Sequence, residues 1–400
     1  MKKAKPHIIY MILINVLINS CIDPIDVDSN VLENAIVIEA IITNELKHHQ
    51  INLSRTFDLD KDEPSPEINA EVKIIDASQN VYNFNEDTPG KYISTSEFAA
   101  ETGNTYQLFV TTGAGDSYTS NPLPLTSETQ IGDVNIAVET NEDGVLGVGV
   151  FANSFDSSGN SRYYRYEYEE TYKIVAPFWN RFDAIVVSPT EVGLTPRIKE
   201  EKVCYGSALS TGIIQTETSG FSEDRVTQKL VRFIPVDNPI ITHRYSVLIK
   251  QYVQSLESYT YFKTLKELSG SESLLSQNQP GFISSNIFSE KNPNEKVLGF
   301  FDVSSVSSKR VFFNFRDLFS TAQRLPPYFV ACDFFAPLDN DSDISLIKAI
   351  QAGSFKYYRQ NYIFGSPPVV PNGGPYVLVI PECGDCTTIG TNVVPEFWID

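Results

Sequence analysis

Apolar and polar residues alternate with a period of two along most of the chain, which is the pattern of half-buried β-strands. The clearest alternating runs are residues 36–42, 72–74, 106–110, 245–249 and 311–315. Turn sequences such as Asp87-Thr88-Pro89-Gly90 and Gly113-Ala114-Gly115-Asp116 separate the runs. The pattern therefore predicts a mainly β protein.

Two domains are predicted from the spacing of these runs. Short strands with frequent turns over residues 34–125 indicate a β-sandwich of immunoglobulin-like or transthyretin-like type. The proline-rich residues 121–125 end it, and residues 126–400 are predicted to form a larger β-rich domain with longer, more aromatic strands. One helix is predicted near residues 255–269 of this second domain, with Ser255 as its N-cap and Gly270 at its end. Its expected apolar stripe is Leu256, Tyr259, Phe262, Leu265 and Leu268.

The first 20 residues have the layout of a signal peptide. Lys2, Lys3 and Lys5 precede a short apolar run over residues 8–18. The run is too short to span a bilayer, which takes roughly 20 apolar residues. Residues 1–20 are therefore predicted to be a leader rather than a membrane anchor.

Ile18-Asn19-Ser20-Cys21 follows the leader and resembles the lipobox of bacterial lipoproteins, which predicts lipidation of Cys21. The alternative is an ordinary secretory signal with a chance cysteine. The acidic residues 21–33 are predicted to form an extended tether. Acid directly after the cysteine resembles the signal that exports Bacteroidota lipoproteins to the cell surface, and the alternative is a plain solvated linker.

Net charge limits the partners of the chain. Removal of the three lysines in residues 1–20 leaves 28 basic against 50 acidic residues. A chain this acidic is a poor partner for nucleic acid or anionic lipid. The hydrophobic fraction of 42% is ample for a large core.

Four cysteines remain once Cys21 is assigned to lipid, and they allow three pairings. Because an exported protein folds in an oxidising compartment, we expect at least one structural disulfide among Cys204, Cys332, Cys383 and Cys386. A redox role for Cys383-Gly384-Asp385-Cys386 is disfavoured because a strand over residues 376–380 precedes it, whereas a reactive thiol is expected at a helix N-terminus. A zinc site is disfavoured because no second pair of this spacing and no nearby histidine exist.

Candidate catalytic and metal-binding residues are few. Beyond the leader the only histidines are His48, His49 and His243, and neither a Gly-x-Ser-x-Gly nor a His-Glu-x-x-His motif occurs. We therefore expect no enzymatic activity, although two-carboxylate glycosidase chemistry stays open in a chain with 50 acids. His48 and His49 are a candidate metal pair, and the alternative is a pair of solvated loop histidines. Calcium is a candidate at Asp339, Asp341 and Asp343, and also at Asp58, Asp60 and Asp62, because both runs space carboxylates two residues apart. The alternative for both runs is a solvated loop.

An ordered set of short motifs resembles the Bacteroidota lipoproteins known as domain of unknown function 4249. The set comprises Cys21-Ile22-Asp23-Pro24, residues 36–44, Gly90-Lys91-Tyr92, residues 103–108, Tyr163-Tyr164, Cys204, the Ser255 helix, Asn286-Ile287, residues 297–301, residues 383–387 and residues 395–398. Cys332 is not part of it. The resemblance implies a surface lipoprotein that assists a TonB-dependent outer-membrane transporter, with no catalytic residue.

Two functions are consistent with these observations. The first is a non-catalytic binding subunit that is lipid-anchored in the outer membrane, exposed at the cell surface, and assists a transporter in nutrient capture or uptake. The second is a structural or adhesive surface lipoprotein with no transport role. The proline- and glycine-rich residues 366–375 form either a contact loop or a plain crossover near the C-terminal cysteines.

Overall fold

A computed structural model describes residues 34–56, 65–270, 283, 285–338 and 345–400. The mainly β class predicted from the sequence is confirmed. The predicted leader, the lipidation site Cys21 and the tether 21–33 lie outside the described residues. Among the residues that are described, no helix combines the length and apolar character needed to cross a membrane.

The N-terminal strands form an antiparallel series around one core. They are β1 Ile36–Thr43, β2 Gln50–Arg55, β3 Ser65–Pro66, β4 Glu71–Asp76, β5 Val81–Thr88, β6 Lys91–Ser94, β7 Thr105–Thr111, β8 Ser117–Ser120 and β9 Leu123–Pro124. Ile36, Ile38, Ala40 and Ile42 of β1 are fully buried, as the alternation predicts. One core receives buried side chains from β1, β2 and β4–β8. The sheet therefore folds back on itself around this core.

The following strands build a second core. They are β10 Ile131–Thr140, β11 Leu146–Asp156, β12 Tyr163–Val175, β13 Phe182–Ser188, β14 Glu191–Pro196, β15 Val203–Leu209, β16 Ile214–Glu217, β17 Asp224–Pro235 and β18 Arg244–Val253. Strands β10, β11 and β17 form a separate antiparallel sheet. It packs on β12 and β18 through a core that includes Val148, Val150, Tyr164, Tyr166 and Tyr245.

The last strands are β19 Ile287–Ser289, β20 Leu298–Asn314, β21 Lys356–Gln360 and β22 Tyr376–Val379. Strand β20 joins the two halves of the molecule. Its first part runs parallel to β1, from Leu298 opposite Val37 to Ser304 opposite Thr43. Its second part runs antiparallel to β18, from Ser305 opposite Val253 to Asn314 opposite Arg244. The hydrogen-bonded path is β15-β12-β18-β20-β1-β2-β6-β5-β4-β7-β8-β19.

The N-terminal core extends beyond the segment assigned to it from the sequence. Strand β19 pairs with β8, and Ile287, Val297, Phe301 and Val303 are buried among the N-terminal side chains. The buried amide of Asn286 accepts from the Phe301 N–H at 2.9 Å and donates to the Phe301 carbonyl at 2.7 Å. Residues far beyond position 125 therefore complete this unit, which a local pattern of alternation does not reveal.

The helices are short except one. They are α1 Leu256–Gly270, α2 Phe315–Leu318, α3 Leu346–Gln351 and α4 Pro381–Gly384, with 3-10 turns at Pro239–Ile241 and Cys386–Thr388. The Ser255 hydroxyl accepts from the Ser258 N–H at 3.0 Å, in agreement with its predicted capping role. Leu256 is 60% exposed, so it does not belong to the buried stripe, whereas Ser258 is fully buried. Two other residues of the predicted stripe do pack inward: Tyr259 is buried with its ring 5.1 Å from the Tyr163 ring, and Arg165 lies over the Phe262 ring. Tyr261 adds a contact outside the stripe, because its ring stacks on Phe300 at 4.9 Å.

Gly299 provides a direct test of the β1–β20 joint. Its φ is +96°, and a Cβ at this position would lie 2.0 Å from the Ile38 carbonyl oxygen. We expect Gly299→Ala to lower the free energy of unfolding by about 3 kcal/mol or more, because backbone strain and overpacking add. Gly103 is the matched control, since its φ is +83° but a Cβ there meets nothing within 4 Å. Gly103→Ala is expected to cost about 1 to 2 kcal/mol. Equal losses in urea unfolding of the two variants would contradict this account.

Candidate binding cleft

The candidate site lies on the outer face of the sheet formed by β15, β12, β18 and β20. Because side chains alternate along a strand, Tyr164 and Tyr166 of β12 point into the core, while Arg165, Glu167 and Glu169 point to the outer face. Helix α1 covers one end of this face, where Arg165 lies over the Phe262 ring at 4.9 Å. The face is open between α1 and residues 381–400, which are called the C-terminal segment below.

Charged side chains on this face are largely paired with one another. The Glu169 carboxylate accepts from the Lys250 ammonium at 2.6 Å, and the Glu167 carboxylate accepts from the Tyr252 hydroxyl at 2.8 Å. Arg165 also donates to Glu167. Burial raises the pKa of Glu167, but the Arg165 charge, the Tyr252 hydroxyl and Lys250 outweigh it and hold that pKa below its ordinary value. Glu167 is therefore a poor general acid, because it keeps its charge at neutral pH.

The C-terminal segment forms the wall of the cleft. Thr391 and Tyr205 exchange backbone hydrogen bonds of 2.8 and 3.0 Å. The Phe397 ring covers the Arg310 guanidinium at 3.5 Å, and Arg310 donates to the Ser246 hydroxyl at 3.0 Å. The cleft has a volume of about 350 Å³, and its lining includes Glu169, Thr171, Ser207, Leu209, Arg310 and Phe397.

Arg310 is a positively charged residue that lines the cleft and has no carboxylate as an ion-pair partner. Among the described residues it forms no ion pair, because the neighbouring Glu169 is bonded to Lys250. Burial lowers the pKa of Arg310, although Glu169 partly opposes the shift. The guanidinium keeps its charge at neutral pH, since arginine titrates far above it. It is therefore a donor group for a ligand oxygen.

Two disulfides join the C-terminal segment to the rest of the chain, one of them to the sheet. Cys204 of β15 is bonded to Cys386, and Cys332 is bonded to Cys383. The expectation of at least one structural disulfide is met. Cys383 and Cys386 each bond to a distant cysteine rather than to each other. The strand predicted before this motif is present as β22, and Cys383 follows it as the third residue of the single turn of α4.

A partly buried ion pair lies beside the cleft, between Glu170 and Arg232. Arg232 of β17 donates to both carboxylate oxygens of Glu170, at 3.0 and 3.2 Å, and Tyr245 donates to the same carboxylate at 2.6 Å. Burial is the largest cause that raises the pKa of Tyr245, and the Glu170 charge adds to it. This triad connects the three-stranded sheet to β12 and β18, so it fixes the strands that carry the cleft.

His48 and His49 each bond a backbone carbonyl. A carbonyl oxygen only accepts, so His48 Nδ1 donates to Ser94 O at 2.7 Å and His49 Nε2 donates to Phe98 O at 2.9 Å. The two rings are thus bonded to different carbonyls. Burial lowers the pKa of His243, which precedes β18.

The described residues were compared with the ligand sets that hold metal ions. No cluster of three or more histidine, cysteine, aspartate or glutamate side chains suited to a metal occurs among the described residues. The calcium candidates Asp339, Asp341 and Asp343, and the run over residues 58–62, lie outside the described part of the chain.

Sequence reasoning did not identify the cleft. Alternation along β20 predicts that Arg310 shares a face with residues 308 and 312, but it does not show that β12 and β15 lie beside that face. The aromatic residues 397 and 398 are visible in the sequence, yet nothing local connects them to Arg310 and Tyr205.

Fold and cleft together define a mainly β protein that is cross-linked by disulfides and has an open site on its surface. The model of the family described as "Domain of unknown function (DUF4249)" matches residues 22–310, and the chain belongs to this family. No curated protein matches the chain. The matched span includes β1–β19 and β20 as far as Arg310, whereas Cys332, Cys383, Cys386 and Phe397 lie beyond it.

His49 predicts a pH dependence of stability. Burial lowers its pKa from 6.5 to about 4 in the folded chain. Since the folded state binds this proton less readily than the unfolded state, the contribution of His49 is full above pH 6.5 and is lost as the pH falls toward 4. We expect His49→Gln to reduce the slope of unfolding free energy against pH in this window. An unchanged slope in urea titrations at successive pH values would refute the assignment.

Proposed function

We propose that this protein is a non-catalytic binding subunit that is lipid-anchored at the cell surface and works with a TonB-dependent outer-membrane transporter in nutrient capture or uptake. The observation that carries the proposal is the open cleft beside Arg310. The carboxylates that line it are already paired, Glu169 with Lys250 and Glu170 with Arg232 and Tyr245. The groups left for a ligand are therefore a guanidinium, an aromatic wall and a strand edge. This combination suits binding better than proton transfer.

Anchoring is supported by the leader and Cys21. The cysteine would carry the lipid, and two or more acyl chains give durable attachment. The tether would place the folded chain at the membrane surface, where a transporter also lies.

An exposed apolar loop supports docking to such a partner. Tyr362, Ile363 and Phe364 are 53%, 44% and 106% exposed. The base of the loop is ordered by Asn361, which is 1% exposed. Its amide donates to the carbonyls of residues 370 and 374 at 3.0 and 2.9 Å and accepts from the N–H of residue 370 at 2.9 Å. A rigid base that holds apolar side chains in water is typical of an interaction site.

Affinity purification in mild detergent tests this function. Tagged protein isolated from its own host is expected to bring down a TonB-dependent transporter, identified by mass spectrometry. The double change Ile363→Ser and Phe364→Ser is expected to reduce recovery about tenfold or more, because it removes apolar contact area from the loop tip. Ile198→Ser is the matched control, since Ile198 is 96% exposed on another loop.

Two results would overturn the proposal. If the unchanged protein is purified without any transporter, the proposed partner is wrong. If the loop variant and the Ile198 control recover equal amounts of transporter, the proposed docking loop is wrong. Deletion of the gene that impairs surface attachment but leaves nutrient uptake intact would support the structural or adhesive function instead.

A further inference from the structure

The cleft contains an unpaired strand edge. Strand β15 is the terminal strand of the sheet path and pairs along its length with β12 alone. Tyr205 uses its outward backbone N–H and carbonyl on Thr391. Because outward-facing backbone groups recur at every second residue of an antiparallel strand, those of Ser207 and Leu209 face the same side. Neither residue has a backbone partner on that side among the described residues.

This edge also lacks the features that normally protect one. Natural edge strands carry a charged side chain, a proline or a bulge that prevents another strand from pairing. The sequence of β15 is Val-Cys-Tyr-Gly-Ser-Ala-Leu, which has neither a charge nor a proline, and its pairing with β12 is regular. Ser207, Ala208 and Leu209 are exposed, with Leu209 at 68%. The edge is therefore accessible and competent to pair.

We propose that the ligand of the cleft is an extended peptide that pairs with the edge of β15. It would extend the backbone pairing that Thr391 makes with Tyr205. The peptide backbone would exchange hydrogen bonds with Ser207 and Leu209, as in other cases of strand addition. This inference rests on the proposed function, since it names the class of ligand that the cleft holds.

Side chains around the edge indicate which peptides fit. Ser207 and Leu209 lie opposite Thr171 and Glu169 of β12, so their side chains share the outer face with Arg310. An apolar side chain of the peptide on the same face would lie beside Leu209, which is 68% exposed at the edge. Arg310 lies on β20, with β12 and β18 between it and the edge, so it does not select among peptides. Aliphatic residues at alternate positions are therefore favoured, because alternate residues of a strand face the same side.

A defined peptide library tests the inference with purified full-length chain. The probe is a set of pentapeptides, blocked at both ends, with Val, Thr, Leu or Asp at each position. Peptides with Val or Leu at alternate positions are expected to bind better than peptides with Asp at those positions, as measured by isothermal titration calorimetry. Ser207→Pro removes the outward N–H and is expected to weaken binding about tenfold or more, whereas Ser207→Ala keeps that N–H and is expected to bind normally.

A test on the ligand side does not depend on how the proline variant folds. Methylation of the peptide nitrogens that face β15 is expected to abolish binding, whereas methylation of the alternate nitrogens is expected to leave it intact. Absence of binding by every peptide up to about 1 mM would overturn the inference. Equal binding of both methylated forms would also overturn it. Transporter recovery in detergent is measured separately, so a failure here leaves the proposed docking function to stand or fall on its own result.

Discussion

The structure depends on the hydrogen bonding of one strand to both halves of the chain. Strand β20 pairs in parallel with β1 and then antiparallel with β18, without interruption. Parallel pairing of residues so distant in sequence costs loop-closure entropy, which later contacts must offset. Gly299 allows the close approach to β1, and the amide of Asn286 binds both backbone groups of Phe301. These contacts fix where β20 enters the second half.

The cleft follows from that constraint. Once β20 is placed, Arg310 emerges on the outer face of the second half, beside β18 and β12. The Glu170, Arg232 and Tyr245 triad fixes the same strands. The disulfide from β15 to Cys386 holds the C-terminal segment nearby, which places Phe397 over Arg310. The site is thus assembled from residues that lie far apart in sequence and are held rigidly.

Sequence reasoning predicts the elements of this fold better than their assembly. Alternation identifies β1 and β18, and the Ser255 cap identifies α1, because these signals are local. The stripe of α1 predicts the burial of Tyr259, but it predicts neither the exposure of Leu256 nor the contact of Tyr261 with Phe300, because the pattern does not place β20 beside the helix. The disulfide of Cys332 is likewise invisible, because cysteine counting leaves all pairings open. Arg310 has no local signal, and it becomes a candidate only when β15, β12 and the C-terminal segment are seen around it.

Native-state hydrogen exchange tests the central role of β20 most directly. If one strand couples both halves, the backbone amides of residues 298–304 and of residues 305–314 exchange through the same global opening. Their exchange free energies then agree with each other and with the free energy of unfolding measured in denaturant. Exchange of one part of β20 at a much lower free energy than the other would show that the two halves unfold independently, and would contradict this account.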